Sequence, residues 1–359
     1  MKILLLNDSL AAGGAQRQFV GLAVLLRQAG YEVIVCTYHD LNFFKDELVN
    51  NNVEFCVIPG AADKKRRIFS IFKYLKEQRP ECVIAFQESP SVVACVEKLM
   101  GLKFRLIVSE RRTRHENSLR TKFVYWLFRQ ADVIVPNSHS QEQWIIKHQP
   151  RFRSKVVTIT NFVDLNRFSF IQRRKSEVPR IIVAATVSEV KNVDRFLDTV
   201  SILKNRNVVF QVDWYGLNPE ETVYQKMCVE KCASLGLSDV FAFRPKTKTI
   251  EVEYRNADFF CLPSLSEGCS NAICEAISTG LPVVCSRVGD NPFLVKDGYN
   301  GHLFDPLSVD DIADKIEQIV NLTPEYYDQY RKNSREHAEE ILGKKLFIES
   351  YKSIINDTK

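Results

Sequence analysis

Twice along the chain, short runs of β-branched and aliphatic residues alternate with longer stretches whose apolar positions recur at helical spacing. In the first half the short runs fall at 2–7, 32–37, 53–58, 82–86, 104–108, 132–136 and 156–159. Between them lie segments of helical period such as 15–29, closed by Gly30. Such alternation predicts parallel sheets wound by helices on both faces, because parallel neighbours need a crossover segment to join them. The pattern stops at a polar, basic stretch, 169–179, carrying Arg173, Arg174 and Lys175, and restarts at Arg180. Strands are then expected at 180–185, 210–215, 240–243, 258–262 and 282–285. Only helical periods follow, at 309–320, 324–341 and 344–355, with Thr323 and Pro324 suited to the cap and first position of the middle one.

A chain of 359 residues exceeds what one hydrophobic core usually organises. The α/β fold class expected is therefore two Rossmann-like doubly wound lobes, 1–168 and 180–340, joined by a linker at 169–179, with 341–359 a C-terminal helix returning to the first lobe. Open α/β sheets bind ligands at the carboxyl ends of their strands, so two such lobes would face each other across a cleft. That architecture alone does not name a reaction.

Composition narrows the setting. The ten cysteines are scattered without a CxxC pair, which fits reduced thiols in a cytosol and no metal site. The opening MKILLLND is too short for a signal peptide and reads as a buried strand. No later apolar run approaches the ~18 residues that span a bilayer, so a cytoplasmic, at most peripheral, protein is expected. Residues 1–170 hold 25 Lys and Arg against 16 Asp and Glu, whereas 171–359 hold 24 against 28. The basic half suits an anionic partner. No nucleic-acid motif accompanies it, which leaves phosphorylated substrates and anionic lipid.

The most informative segment is PSLSEGCSNAICEAISTGLPVVCSRVGD at 263–290. A strand ending at Leu262 leads into a loop with Glu267 and Gly268, and Ser270 and Asn271 can cap a helix that Gly280 closes. A helix N-terminus so placed offers backbone N–H groups and a positive dipole end, which suit a diphosphate. Glu275 lies about one and a half turns into that helix. Two carboxylates so spaced can accept hydrogen bonds from different sets of sugar hydroxyls, or can be solvated helix-face acids.

This segment resembles the donor-binding signature of the family 4 retaining glycosyltransferases, which have the GT-B fold. Other pieces resemble that family in order: GGAQRQ at 13–18, SERR at 109–112, ITNFVDLNRF at 159–168, VKNVDRFLD at 190–198 and GLPVVCSRVGD at 280–290. The resemblance implies that Glu275 holds the nucleotide ribose, that Glu267 contacts the donor sugar, and that the backbone of Gly268, Cys269, Ser270, Asn271 and Ala272 meets phosphate and sugar. It makes Lys191 the cation on the diphosphate, catalytic together with Glu267. Gly13 and Gly14 would lie beside the donor phosphate. The family's usual Gly-Arg pair before the lysine is replaced here by Ala185 and Thr186, so Arg111, Arg112 or Arg244 is the candidate for the missing phosphate cation. His115, just past SERR, is a candidate acceptor contact.

The activity so implied is retaining transfer of a hexose or N-acetylhexosamine from a UDP-sugar to a lipid-linked glycan of bacterial surface polysaccharide, without metal or other cofactor. The departing phosphate itself would take the acceptor proton. A sugar-nucleotide epimerase of the same fold and a non-catalytic nucleotide-sugar-binding homologue are the alternatives. A dehydrogenase would want G-x-G-x-x-G after the first strand, which is not there. Finally, Lys64 to Lys76 and Arg120 to Arg129 interleave cations with aromatics, the composition of helices that lie on an anionic bilayer or that pack aromatics inward.

Overall fold

The computed structural model describes residues 1–111 and 116–357. The chain forms two compact units, Met1–Asn161 with Lys344–Lys359, and Phe162–Gly343. The first contains strands β1 (Lys2–Asn7), β2 (Glu32–Thr37), β3 (Glu54–Val57), β4 (Cys82–Phe86), β5 (Arg105–Glu110) and β6 (Val133–Pro136). The second contains β7 (Arg180–Ala184), β8 (Gln211–Leu217), β9 (Phe241–Pro245), β10 (Phe259–Leu262), β11 (Val283–Ser286) and β12 (Gly301–Phe304). Every pairing is parallel.

The two sheets share one topology. Their strand orders are β3-β2-β1-β4-β5-β6 and β12-β11-β10-β7-β8-β9, so the order of strands reverses once in each sheet, between β1 and β4 and between β7 and β10. Loops that leave the carboxyl ends of strands at such a reversal diverge to opposite faces and open a crevice, which is where doubly wound sheets take ligands. In the second unit those are the loops after Ala184 and after Leu262.

Helices α1 (Gly14–Gln28), α2 (Lys45–Asn50), α3 (Arg67–Gln78), α4 (Glu88–Leu99), α5 (Leu119–Leu127) and α6 (His139–His148) belong to the first unit. The second has α7 (Val193–Asn205), α8 (Val223–Ser234), α9 (Ile250–Asn256), α10 (Asn271–Ser278), α11 (Asn291–Leu294), α12 (Val309–Val320) and α13 (Pro324–Ile341). Helix α14 (Lys344–Asn356) is part of the first unit, where Arg105 Nε donates to the Ile354 carbonyl at 2.8 Å and Arg111 Nη2 to the Tyr351 hydroxyl at 2.7 Å.

Three sequence expectations change. The basic stretch 169–179 is not a free linker: Arg173 donates to the Arg255 and Ala257 carbonyls and to Asp258, and Lys175 Nζ to the Val320 and Leu322 carbonyls. Its cations satisfy helix-end carbonyls of the second unit, so the division falls at Asn161 and Phe162 instead. Residues 156–159 run beside β6 but make a single bridge, Ile134 with Val156, and no strand. β12 was not expected. Among the described residues no helix is long and apolar enough to cross a membrane.

Candidate functional site

The loop after β7 is shaped by three backbone contacts. Ala185 N–H donates to the Tyr215 carbonyl at 3.0 Å, the Trp214 indole donates to the Ala185 carbonyl at 2.7 Å, and Gly216 lies flat against that carbonyl. A Cβ on residue 216 would stand 1.7 Å from the Ala185 oxygen, so only glycine permits this approach. Thr186 is thereby left exposed at the strand end.

A short 3-10 turn, Glu189–Lys191, then leads to Asn192, which takes a left-handed conformation (φ 58°) that asparagine tolerates better than most residues. The buried Asn192 amide donates to the Pro263 and Pro306 carbonyls at 3.1 and 2.8 Å, and Leu265 N–H donates to the Val190 carbonyl at 2.8 Å. These bonds lash the loop after β7 to the loops after β10 and β12. The result is an ion pair across the reversal point: Lys191 Nζ lies 2.6 Å from Glu267 Oε1, both side chains mostly buried.

Beyond Glu267 the chain turns into α10, capped by the Ser270 hydroxyl, which accepts from Ile273 N–H at 3.5 Å. Gly268 is held by Asp290, whose N–H donates to its carbonyl at 3.2 Å. That contact requires Gly289 (φ 54°), since a Cβ there would lie 1.9 Å from the Glu267 carbonyl oxygen. Glu275, 8% exposed, sits on the second turn of α10, where the Tyr254 hydroxyl reaches Oε2 at 3.4 Å. Cys269 and Cys274 meet at 3.7 Å between sulfurs, both as buried thiols. The Cys269 contact, with burial behind it, pushes the Cys274 thiol well up, so it serves as core.

Of the residues singled out in the sequence, Lys191 lies in the loop after β7, and Glu267, Gly268, Cys269, Ser270, Asn271, Ala272 and Glu275 lie in the loop after β10 or in the first two turns of α10 that follow it. Gly13 and Gly14 lie in the first unit at its own reversal point, Gly13 as the N-cap of α1. Arg244, on β9, is engaged by a carboxylate of its own unit. Its Nε is held by Asp213 Oδ1 at 2.7 Å, and Asp213 Oδ2 takes Arg180 Nε at 2.6 Å. Burial pushes the Asp213 carboxyl up, but these two guanidinium groups outweigh it and hold it below the usual carboxylate range.

Arg111 is likewise committed within the first unit. It donates to Ser109, Asn161 and Tyr351 and stacks over Phe86 at 4.3 Å. Its guanidinium pins the end of β5 to α14, so it is a structural cation. Arg112 and His115 lie outside the described residues. Among the described residues no group of three His, Cys, Asp or Glu side chains is arranged to hold a metal ion. Sequence reasoning missed Asn192, Gly289, Asp290 and Tyr254. Asparagine directly after the lysine and glycine before Asp290 were the available signals, both marking backbone that ordinary residues avoid.

Two family models cover the chain in succession, Glycosyltransferase Family 4 over residues 12–167 and Glycosyl transferases group 1 over residues 165–337. The chain belongs to the family 4 glycosyltransferases. An uncharacterized glycosyltransferase of Haemophilus influenzae is 23% identical to it over 363 residues, covering 96% of this chain and 97% of the relative. Another relative, 26% identical over 344 residues and 89% of both chains, is the Campylobacter jejuni GalNAc-alpha-(1->4)-GalNAc-alpha-(1->3)-diNAcBac-PP-undecaprenol alpha-1,4-N-acetyl-D-galactosaminyltransferase. Among solved structures, Anabaena HepE in complex with UDP and glucose matches with a TM-score of 0.85 at 18% identity, covering 99% of this chain and 100% of that one. The two parallel six-stranded sheets of this family 4 glycosyltransferase are those of the GT-B fold.

Proposed function

We propose that this family 4 glycosyltransferase moves a hexose or N-acetylhexosamine from a UDP-sugar to a lipid-linked glycan, with retention at the anomeric carbon. The observation that carries the reading is the convergence of Lys191, Glu267, the capped start of α10 and Glu275 at the reversal point of the second sheet. A cation and a helix N-terminus suit the diphosphate, and two carboxylates suit sugar hydroxyls. The HepE complexes with UDP, glucose and UDP-glucose support a UDP-sugar donor. The named acceptor of the Campylobacter relative supports a lipid-linked one.

In this reading Lys191 and the first turn of α10 stabilise the charge that grows on the departing diphosphate. Glu267 accepts from hydroxyls of the transferred sugar. The acceptor attacks the face that the diphosphate leaves, and a phosphate oxygen takes its proton, so the protein supplies position and charge without a metal. The setting proposed is bacterial surface polysaccharide synthesis at the inner face of the cytoplasmic membrane.

The first unit bears a surface suited to that setting. Helices α3, α4 and α5 pack side by side with α4 in the middle. On α5, Leu119 (84% exposed), Phe123 (58%) and Trp126 (48%) share one outward stripe, with Phe123 stacked on Trp126 at 5.9 Å. Ile68 and Phe69 of α3 are exposed as well, beside Lys64, Lys65, Arg66, Lys73 and Lys76. Outward aromatics framed by cations fit an anionic bilayer.

The test is incubation with a panel of UDP-sugars and lipid-linked acceptors, reading released UDP and the anomeric configuration of the product. UDP release with an α-linked product from an α-linked donor is expected. Inversion would remove the retaining assignment. Tight UDP binding without transfer to any acceptor would favour the non-catalytic homologue, a reading that Thr186 and the commitment of Arg244 to Asp213 keep specific.

A further inference from the structure

The Tyr254 hydroxyl touches α10 at two points: Glu275 Oε2 and the Ala272 carbonyl, each at 3.4 Å. Tyr254 comes from α9, has no exposed surface, and its ring is held between Phe168, with centroids 6.1 Å apart, and Phe260 at 5.8 Å. A tyrosine has few side-chain torsions, and here flanking rings in the core fix them. The hydroxyl therefore occupies a point set by the second unit's core rather than by the helix it touches. It carries one proton, and an ionised carboxylate accepts that proton more strongly than a carbonyl does.

We propose that Tyr254 is a positioning residue for nucleotide binding: by holding Oε2 it sets the plane of the Glu275 carboxylate for the vicinal hydroxyls of the ribose. The inference rests on the donor-site reading, in which Glu275 takes the ribose. Two cis hydroxyls bind a carboxylate well only when its oxygens face them, so a carboxylate free to turn loses affinity when the ligand stops that motion. The Ala272 carbonyl, at the same distance on the first turn of that helix, is the alternative acceptor of the hydroxyl's single proton. Sugar chemistry is not touched by Tyr254, so its effect falls on nucleotide affinity rather than on the transfer step.

Tyr254→Phe keeps the ring in the aromatic core and deletes only the hydroxyl. Calorimetric titration with UDP alone, on the full chain, reads the effect without an acceptor. A loss of affinity of about threefold to tenfold is expected, the scale of one hydrogen bond to a charged group at long distance. The thermal midpoint should stay close to that of the parent. The same substitution in a Glu275→Ala background should have no further effect on UDP affinity, because the group it positions is gone. A structural role would instead lower the midpoint and weaken UDP equally in both backgrounds, which overturns the proposal. Normal UDP binding by Tyr254→Phe alongside weakened binding by Glu275→Ala also overturns it, while leaving the donor site intact. Normal binding by Glu275→Ala would remove the ribose assignment itself and the positioning role with it.

Discussion

Lys191 Nζ and Glu267 Oε1, 76 residues apart in sequence, stand 2.6 Å from each other at the reversal point of the second sheet. The cation assigned to the diphosphate is already neutralised by the carboxylate assigned to the sugar. A donor must therefore exchange one anionic partner of Lys191 for another. Glu267→Gln removes the competing charge, and UDP alone should bind roughly threefold to tenfold tighter, while transfer falls for want of the sugar contact. Lys191→Ala should lower turnover by about a hundredfold, as loss of a preorganised donor does. Calorimetry with UDP and initial rates check both. Unchanged UDP affinity in Glu267→Gln would show that the pair does not oppose the phosphate.

Thr186→Arg places a guanidinium where the backbone is fixed by Gly216 and the Trp214 indole and the side chain is exposed. UDP affinity should rise, and the gain should shrink as salt is added, since the new attraction is a screened ion pair. A titration at low and high ionic strength reads this directly.

Gly289→Ala forces a Cβ to within 1.9 Å of the Glu267 carbonyl oxygen at a φ of +54°. The turn must shift, and the peptide between Glu267 and Gly268 with it. A stability loss on the order of 1–3 kcal/mol is expected, together with a raised Michaelis constant for the donor. Ser286→Ala, at the end of β11 just before that turn, is the control that should leave the donor constant near the parent value.

Glu97, on α4 of the first unit, is fully buried, and neither carboxyl oxygen has a hydrogen-bond partner. Burial pushes its pKa up from 4.5 to about 8. Between those values the folded chain keeps a proton that the unfolded chain has released, so stability falls as pH rises through the window and levels off above it. Glu97→Gln cannot ionise. The thermal midpoint of the variant should gain on that of the parent steadily from pH 4.5 to pH 8, by an amount corresponding to a few kcal/mol at the upper end. Parallel curves would show that Glu97 reaches water or a partner.

Sedimentation with vesicles tests the outward face of α3 and α5. Binding should require anionic lipid, weaken with salt, and fall in Lys64→Ser/Lys65→Ser/Arg66→Ser and in Phe123→Ser/Trp126→Ser. Arg67 is left in place because it is structural: it donates to the Ala61 and Ala62 carbonyls and stacks over Tyr38 at 4.2 Å. Equal partition onto neutral and anionic vesicles would sink the docking idea.

The sheets were legible because buried parallel strands are continuous apolar runs, as β1 and β4 show. β12 reads Gly-His-Leu-Phe, half of it without an apolar side chain, and carries no such signal, and 156–159 carries one without completing a ladder. Ligand-site residues were legible as a resemblance, but their pairing was not: a sequence displays the Arg244 and Arg111 guanidiniums and conceals the Asp213, Asn161 and Tyr351 groups that claim them. The basic stretch 169–179 looked like a solvated linker for the same reason, since the carbonyls it caps lie far along the chain. Tyr254 reads in sequence only as an aromatic of the core.

The last helix of the first unit is encoded after the whole of the second. On the ribosome, β1 to β6 emerge early yet wait for Tyr351 and Ile354, whereas Phe162–Gly343 is contiguous and can close as soon as it is made. The half of the molecule translated first is thus the half completed last. A frameshift or protease cut after Gly343 would spare the contiguous second unit and leave the amino-terminal one unfinished.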